Sequence, residues 1–390
     1  MVDAILVSRL FAPEPSAASY RLAALAETWA RAGGRMLVLT TRPPAGLTIE
    51  ETPYRVSRWP VKRAADGSVR GYLSYLSFDL PVLLRLLAAP RPSVVVTEPP
   101  PTTGAVVALA CGVRRLPFAY YAADCWSDAA AATSAPRAVV AVVRALERFA
   151  MRRAAVVLTV NDAIAARLRE LVPKATVEVV GNGVDTSIFA PTGDRASVAG
   201  RTVVYTGTAS EWQGAEVFVE AWPAVIARHP DARLRFVGAG ASWPALRRLA
   251  DELGVGDSVE LIDTVPPHEA AAHLRAATLA VVSLRPGQSY DYALPTKLLA
   301  ALACGTPALY VGEGVGADFI ASMPPATAAG SRAVEFHVSA VGAAIAYALQ
   351  HPATAEERAQ LADWGRHQVS LAAVAGRAAN AVAGAAQGAR

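Results

Sequence analysis

Short apolar runs rich in Val, Ile, Leu and Tyr alternate along most of the chain with longer stretches whose apolar positions recur at helical spacing. That alternation is the pattern of parallel βαβ units, in which buried strands are joined by amphipathic crossover helices. In the first half the spacing predicts strands over Ala4 to Ser8, Met36 to Thr40, Ser93 to Thr97, Phe118 to Tyr121, Val156 to Val160 and Thr176 to Val180. Helical patterns fall between them, notably at Ser19 to Ala32 and Ala163 to Leu171. The pattern then restarts, with strands at Arg201 to Thr206, Arg233 to Val237, Val259 to Ile262, Leu279 to Ser283 and Ala308 to Val311. Helices are expected there at Ala215 to His229, Trp243 to Leu253, His268 to Ala276 and Pro295 to Ala303.

The expected fold class is therefore α/β, with two Rossmann-like, doubly wound domains. A length of 390 residues agrees, because single cores stop growing at about 250 to 300 residues. The Pro-, Gly- and Asp-punctuated stretch Phe189 to Gly200 reads as the linker. That puts the domains at 1–188 and 201–364, with the Ala-rich tail from Glu356 helical and its last helix, at about 365–390, packed back on the first domain. Two such domains facing one another leave the carboxyl ends of both sheets lining a cleft, where sheets of this kind bind ligands.

Composition narrows the setting. The first residues carry Asp3 and a short apolar run, unlike a secretory signal, and no apolar stretch approaches the roughly 20 residues of a membrane span, so a cytoplasmic location is expected. Cys111, Cys125 and Cys304 are too scattered for a disulfide framework or a zinc knuckle. Charge is unevenly shared: residues 1–190 hold 22 Lys and Arg against 15 Asp and Glu, and the remainder 15 against 18. The first half is thus the one to meet an anionic surface. Within it, Ala138 to Ala154 reads as a helix with Arg144, Arg148 and Arg152 at four-residue spacing. This face could lie on anionic lipid at the inner membrane face, but an ordinary solvated helix face is the favoured reading.

Chemistry concentrates at two helix mouths in the second half. The chain has three lysines against thirty-four arginines, and one of them, Lys297, follows Pro295 at the start of a helix within Tyr290 to Pro307. An ammonium there suits a phosphate, because Pro fits the first helical position and Leu294 cannot cap, which leaves the amides of Thr296, Lys297 and Leu298 open. Thr296 is the alternative as a cap. The other mouth follows strand Arg201 to Thr206, where Gly207, Thr208, Gln213 and Gly214 form a Gly-bracketed loop whose amides can approach a phosphate. Arg285 adds a second cation. Two cations and two helix mouths suit a diphosphate without metal, and no Asp-x-Asp triplet of the kind that holds Mg²⁺ or Mn²⁺ occurs.

With these features in order, the chain resembles the family-4 retaining glycosyltransferases of the GT-B fold. Gly181-Asn182-Gly183-Val184-Asp185 followed by Phe189 is similar to that family's interdomain signature, and Phe236 to Gly240 to its VGxG turn. FAPEP at Phe11 to Pro15, DCWSD at Asp124 to Asp128, Gln213-Gly214 and LPTK at Leu294 to Lys297 resemble the capsule, colanic-acid and O-antigen branch. The resemblance implies sugar transfer, with retention, from a UDP- or GDP-sugar held by the second domain to an acceptor held by the first. The acceptor would be a glycan, a lipid-linked sugar or a small molecule, with no cofactor, metal or nucleic acid involved. Gly207, Thr208, Gln213, Gly214, Arg285, Thr296, Lys297 and Leu298 would surround the diphosphate, with Gly238 and Val265 near the base. Asp124 and Glu98 would be the catalytic candidates, though either acid could instead cap a helix, and Ser16, Ala17, Ala18 and Trp126 would meet the acceptor.

Three departures stand out. The family's ribose-binding carboxylates correspond here to Tyr292 and Ala300, the Arg and Lys of its first phosphate loop to Thr208 and Gln213, and its Gly pair in the acceptor loop to Ala17 and Ala18. The rival expectations are a GT-B epimerase and a catalytically silent glycan-binding or partner protein. A dinucleotide oxidoreductase is disfavoured, since no Gly-x-Gly-x-x-Gly follows the first strand.

Overall fold

The computed structural model describes residues 3–14, 16–63, 69, 71–131, 136–197, 200–287 and 292–388. Pro15, Val198, Ala199, Tyr290 and Asp291, which belong to segments singled out above, lie outside the described residues. The chain divides into two compact units, Met1–Gly181 with Leu371–Arg390, and Asn182–Ser370.

The first unit holds a parallel sheet of β1 (Ala4–Val7), β2 (Met36–Thr41), β3 (Arg55–Trp59), β4 (Val94–Thr97), β5 (Phe118–Tyr121), β6 (Val156–Thr159) and β7 (Val177–Val179), in the order β3-β2-β1-β4-β5-β6-β7. Strands β1, β4, β5 and β6 are buried at every position. This is the condition of a parallel sheet with both faces covered, and it explains their unbroken apolar runs. Helices α1 (Ala17–Arg31), α2 (Tyr72–Ala88), α3 (Pro101–Arg114), α4 (Trp126–Ala131), α5 (Arg137–Arg153) and α6 (Asp162–Leu171) make the crossovers. Ser16 caps α1, accepting from the Ser19 amide at 3.0 Å, and Asn161 caps α6 from Ile164 at 2.9 Å. Strand β3 escapes the sequence pattern because it is an edge strand that alternates Arg55, Ser57 and Trp59 with Val56 and Arg58 rather than forming an apolar run.

The second unit holds β8 (Thr202–Thr206), β9 (Arg233–Val237), β10 (Val259–Ile262), β11 (Leu279–Ser283), β12 (Ala308–Val311) and β13 (Arg332–Val334), in the order β10-β9-β8-β11-β12-β13, all parallel. Its helices are α7 (Glu216–Ile226), α8 (Trp243–Glu252), α9 (Pro267–Ala276), α10 (Thr296–Ala303), α11 (Val315–Ala321), α12 (Val338–Gln350) and α13 (Ala355–Gln368). One core layer gathers Phe218, Trp222, Phe236 and Ile345. The other gathers Leu298, Leu299, Leu302 and Tyr310. Both units are doubly wound, Rossmann-like domains: strand order reverses between β1 and β4 in the first and between β8 and β11 in the second.

The chain passes between units at Gly181–Asn182, ahead of the stretch read as a linker. Residues 189–197 belong to the second unit, where Arg275 donates to the carbonyls of Asp194 (2.7 Å) and Ala190 (3.2 Å), and Ala196 donates to Ala272 (3.1 Å). The helical tail is in fact two helices in two units. α13 packs on α10, whereas α14 (Leu371–Gly388) packs on α1 and on β4, β5 and β6. Between them, Val369 accepts from the Val184 amide at 2.8 Å and Ser370 bridges to Val184.

Candidate active site

In the second unit, the loops leaving β8 and β11 part at the point where strand order reverses, the position at which open α/β sheets bind ligands. Lys297, on the first turn of α10, reaches back across this point. Its Nζ donates to the Tyr205 hydroxyl at 2.5 Å and the Thr208 carbonyl at 2.7 Å, and lies 3.8 Å from the Tyr205 ring centroid. Gly207 beside it is called for by its backbone, at φ +92°, and not by space, since a Cβ there would meet Lys297 Cε at an ordinary 3.8 Å. All these partners are neutral. Burial pushes the half-buried ammonium down to about 7 because no carboxylate pairs with it among the described residues. The site is thus a cation poised for an anion.

The remaining expected donor contacts divide. Pro295 proves to be the N-cap rather than the first helical residue, without a side-chain cap from Thr296. Leu298 is buried in the core and its amide donates to Pro295 O at 3.0 Å; the Thr296 and Lys297 amides belong to the first turn, where N–H groups have no partner within the helix. In the first loop, the Gly207 and Ala209 amides donate to Val237 O (2.7 Å) and Ala239 O (2.9 Å), so they serve the loop rather than a phosphate. Gln213 is buried in a capping box with Ser210, its Oε1 accepting from the Ser210 amide at 2.8 Å. Gly238 is required sterically, since a Cβ would fall 2.3 Å from Gly207 O. Gly214 likewise lies against the Phe336 ring. Val265, half-buried, follows β10 on the same sheet edge. Arg285 is ion-paired with Glu216 and lies over the Phe336 ring at 5.5 Å. Glu216 was not evident from sequence, because nothing local links it to Arg285. Ala300 is 5% exposed and part of the core.

In the first unit, Glu98 lies at the reversal between β1 and β4. It is 5% exposed, accepts from Ser8 Oγ at 2.8 Å and pairs with Arg21 at 3.4 Å. Burial raises its carboxyl above the usual range, against the pull of Arg21 and Ser8. Arg21 also covers the Tyr121 ring at 4.8 Å. Asp124, after β5, is exposed. Ser16 is committed to its cap, with Ala17 and Ala18 opening α1. Trp126 opens α4, its amide bonded to Glu147 Oε1 at 2.8 Å; Ser127 donates to the other oxygen at 3.1 Å. Fully buried Glu147 is therefore the cap of α4, supplied from α5 and invisible to local spacing. Of the three spaced arginines of α5, Arg144 and Arg148 are half-buried and Arg152 is exposed, so the basic face is partly turned inward.

Two doubly wound domains, the second with a lysine at its switch point, define the GT-B class. The fold is similar over 98% of the chain to a sucrose-phosphate synthase from Thermosynechococcus elongatus, with TM-score 0.71, 18% identity and 98% of that chain covered. It is similar over the same share to Anabaena Alr3699/HepE in complex with UDP-glucose, with TM-score 0.66, 14% identity and 100% of that chain covered. Residues 200–347 match the family described as glycosyl transferases group 1, and residues 16–183 match the glycosyl transferase 4-like domain. By both of its domains the chain belongs to the family-4 glycosyltransferases. Similar sequences include a D-inositol 3-phosphate glycosyltransferase of Corynebacterium glutamicum (strain R), 29% identical over 35% of this chain and 36% of that protein. A GDP-mannose-dependent alpha-(1-6)-phosphatidylinositol monomannoside mannosyltransferase of Mycolicibacterium smegmatis is 30% identical over 44% of this chain and 47% of that protein. Both matches thus span less than half of the relative's length.

Proposed function

We propose that the protein is a retaining glycosyltransferase that moves a sugar from a UDP- or GDP-linked donor in its second unit to a hydroxyl acceptor at its first. Its place would be in the branch that builds capsule, colanic-acid and O-antigen glycans, on glycan, lipid-linked or small-molecule acceptors. The observation that carries this reading is Lys297: a half-buried ammonium at the switch point of a Rossmann-like sheet, surrounded by neutral groups, gains most from an arriving diphosphate. As the glycosidic bond breaks, charge grows on the departing nucleotide, and preorganised donors at Lys297 and the α10 amides stabilise it without reorganisation. Arg285 joins them if the diphosphate displaces Glu216. In the first unit exposed Asp124 is the acid available to a reacting sugar, whereas buried Glu98 holds Arg21 in place. No metal has a part in this scheme. Among the described residues no helix is long and apolar enough to cross a membrane.

A second reading, a catalytically silent glycan-binding or partner protein, is favoured by Ala300, which offers no carboxylate to a ribose. Thermal melts with UDP and GDP in a chelator decide first. A nucleotide at a hundredfold excess over Kd stabilises the folded chain by about 2.7 kcal/mol, and Lys297→Ala should abolish that shift. No shift with either nucleotide at millimolar concentration would overturn the donor site. Release of free nucleotide in a donor screen then separates enzyme from silent binder, and an active Asp124→Ala protein would remove Asp124 from the chemistry.

A further inference from the structure

Helix α2 shows a feature that sugar transfer does not use. Its buried side carries Ser74, Phe78, Val82 and Leu86, packed into the first unit. Among its described side chains the exposed ones are Leu73, Leu76, Leu80, Leu84, Leu87 and Ala88. Leu73, Leu80 and Leu84 are 65%, 59% and 68% exposed, so this is a face and not a row of grazing contacts. From Leu73 to Leu87 it runs about 21 Å at the rise of an α-helix. The adjoining α3 also exposes Leu109 and Val113. A soluble surface seldom leaves so continuous an apolar stripe uncovered.

The charges around the stripe indicate what covers it. Lys62 is exposed and its amide is bonded to Ser77 Oγ at 2.9 Å, which places it beside the middle of α2. At the far end Arg114 donates to Leu86 O, and exposed Arg91 donates to the carbonyls of Arg114 (2.8 Å) and Arg115 (3.2 Å). Trp59, 41% exposed, flanks the helix with Arg85 over its ring at 5.8 Å. Between residues 55 and 123 the described acids are Asp79 and Glu98, both buried. A leucine face rimmed by Lys, Arg and Trp, with no exposed carboxylate among the described residues of that segment, matches a bilayer with anionic headgroups. A second copy fits less well, since a two-fold contact would set each cationic rim against its own counterpart.

We propose that α2 is a membrane-docking helix whose leucines enter the acyl boundary of an anionic bilayer while Lys62, Arg91 and Arg115 meet the headgroups. The N-terminal turn of α2 adjoins the carboxyl edge of the first sheet, where Arg9 lies over the Tyr75 ring at 4.7 Å and donates to Val69 O. Docking there would hold that edge at the lipid surface, within reach of a lipid-linked hydroxyl.

The test is sedimentation of the full chain with phosphatidylglycerol and with phosphatidylcholine vesicles at about 0.15 M salt, where exposed charges beyond roughly 8 Å are screened. Binding to the anionic vesicles is expected, with little to the neutral ones. The combined variant Leu76→Ser, Leu80→Ser, Leu84→Ser should lose binding about tenfold or more without a lower melting temperature, since these residues are exposed. Arg91→Gln with Arg115→Gln should weaken it more at low than at high salt. Equal binding of parent and leucine variant, or none by the parent, would overturn the proposal. So would a vesicle-free dimer in the ultracentrifuge that the leucine variant dissociates. The nucleotide-dependent melting shift is read separately, so a chain that docks without binding UDP or GDP retains this inference and sinks the donor site alone.

Discussion

Lys297 couples the occupancy of the proposed site to its own proton. With burial holding the free ammonium at about 7, the apo site is largely neutral at pH 8, and a diphosphate must bring the proton back. Calorimetric titration with UDP at pH 8 should therefore show uptake of close to one proton, read as a difference in heat between Tris and HEPES buffers. Affinity should fall about tenfold per pH unit above 7 until the pKa of the occupied site is reached. Apo stability moves the other way. The folded lysine lies below the unfolded one, so the unfolded chain binds more protons between about 7 and 10, and stability rises with pH across that window. Lys297→Met should flatten the rise. The lysine itself was legible because it is rare and follows Pro295. Its partners were not, since Tyr205 and Thr208 arrive from a strand and loop some ninety positions away. Distance in sequence likewise hid the pairing of Arg285 with Glu216.

Helix α4 illustrates why elements are harder to read than cores. Its six residues start without a cap of their own, and Glu147 of α5 supplies both acceptors. Glu147→Ala should cost about 1 to 3 kcal/mol in urea unfolding, because two amides at the α4 start lose their acceptors. Glu147→Gln, which keeps one acceptor oxygen, should recover part of it. Strands β5, β11 and β12 match their expected limits, as burial on both faces leaves an unbroken apolar signal; β9, with Arg233 and Arg235, and the edge strand β10, with Glu260, match theirs without one. Edge strands β3 and β13 lack that signal, being half-solvated and interrupted by Arg55, Arg58 and Arg332. The Phe189 to Gly200 stretch shows punctuation of the linker kind, yet Arg275 fastens it to the second unit through backbone carbonyls that no side-chain pattern reveals.

At the scale of the molecule the two units differ in how the chain builds them. The second is one continuous segment, residues 182–370, with both layers of its core inside it. Expressed alone, it should unfold cooperatively and keep the UDP- or GDP-dependent melting shift, whereas residues 1–181 without α14 should fail to give a cooperative transition. Absence of any shift in a folded 182–370 fragment would show that the nucleotide needs the first unit. In α14 the buried residues Val374, Ala375, Ala378 and Val382 complete the packing over β4, β5 and β6. These residues leave the ribosome only after the whole second unit. At about 5 to 20 residues per second, making that unit takes roughly 10 to 40 s. Through that interval the half of the protein made first waits with one wall of its core missing, while the half made second can already close. During synthesis the second unit is therefore expected to close before the first, the reverse of the usual order of domain folding.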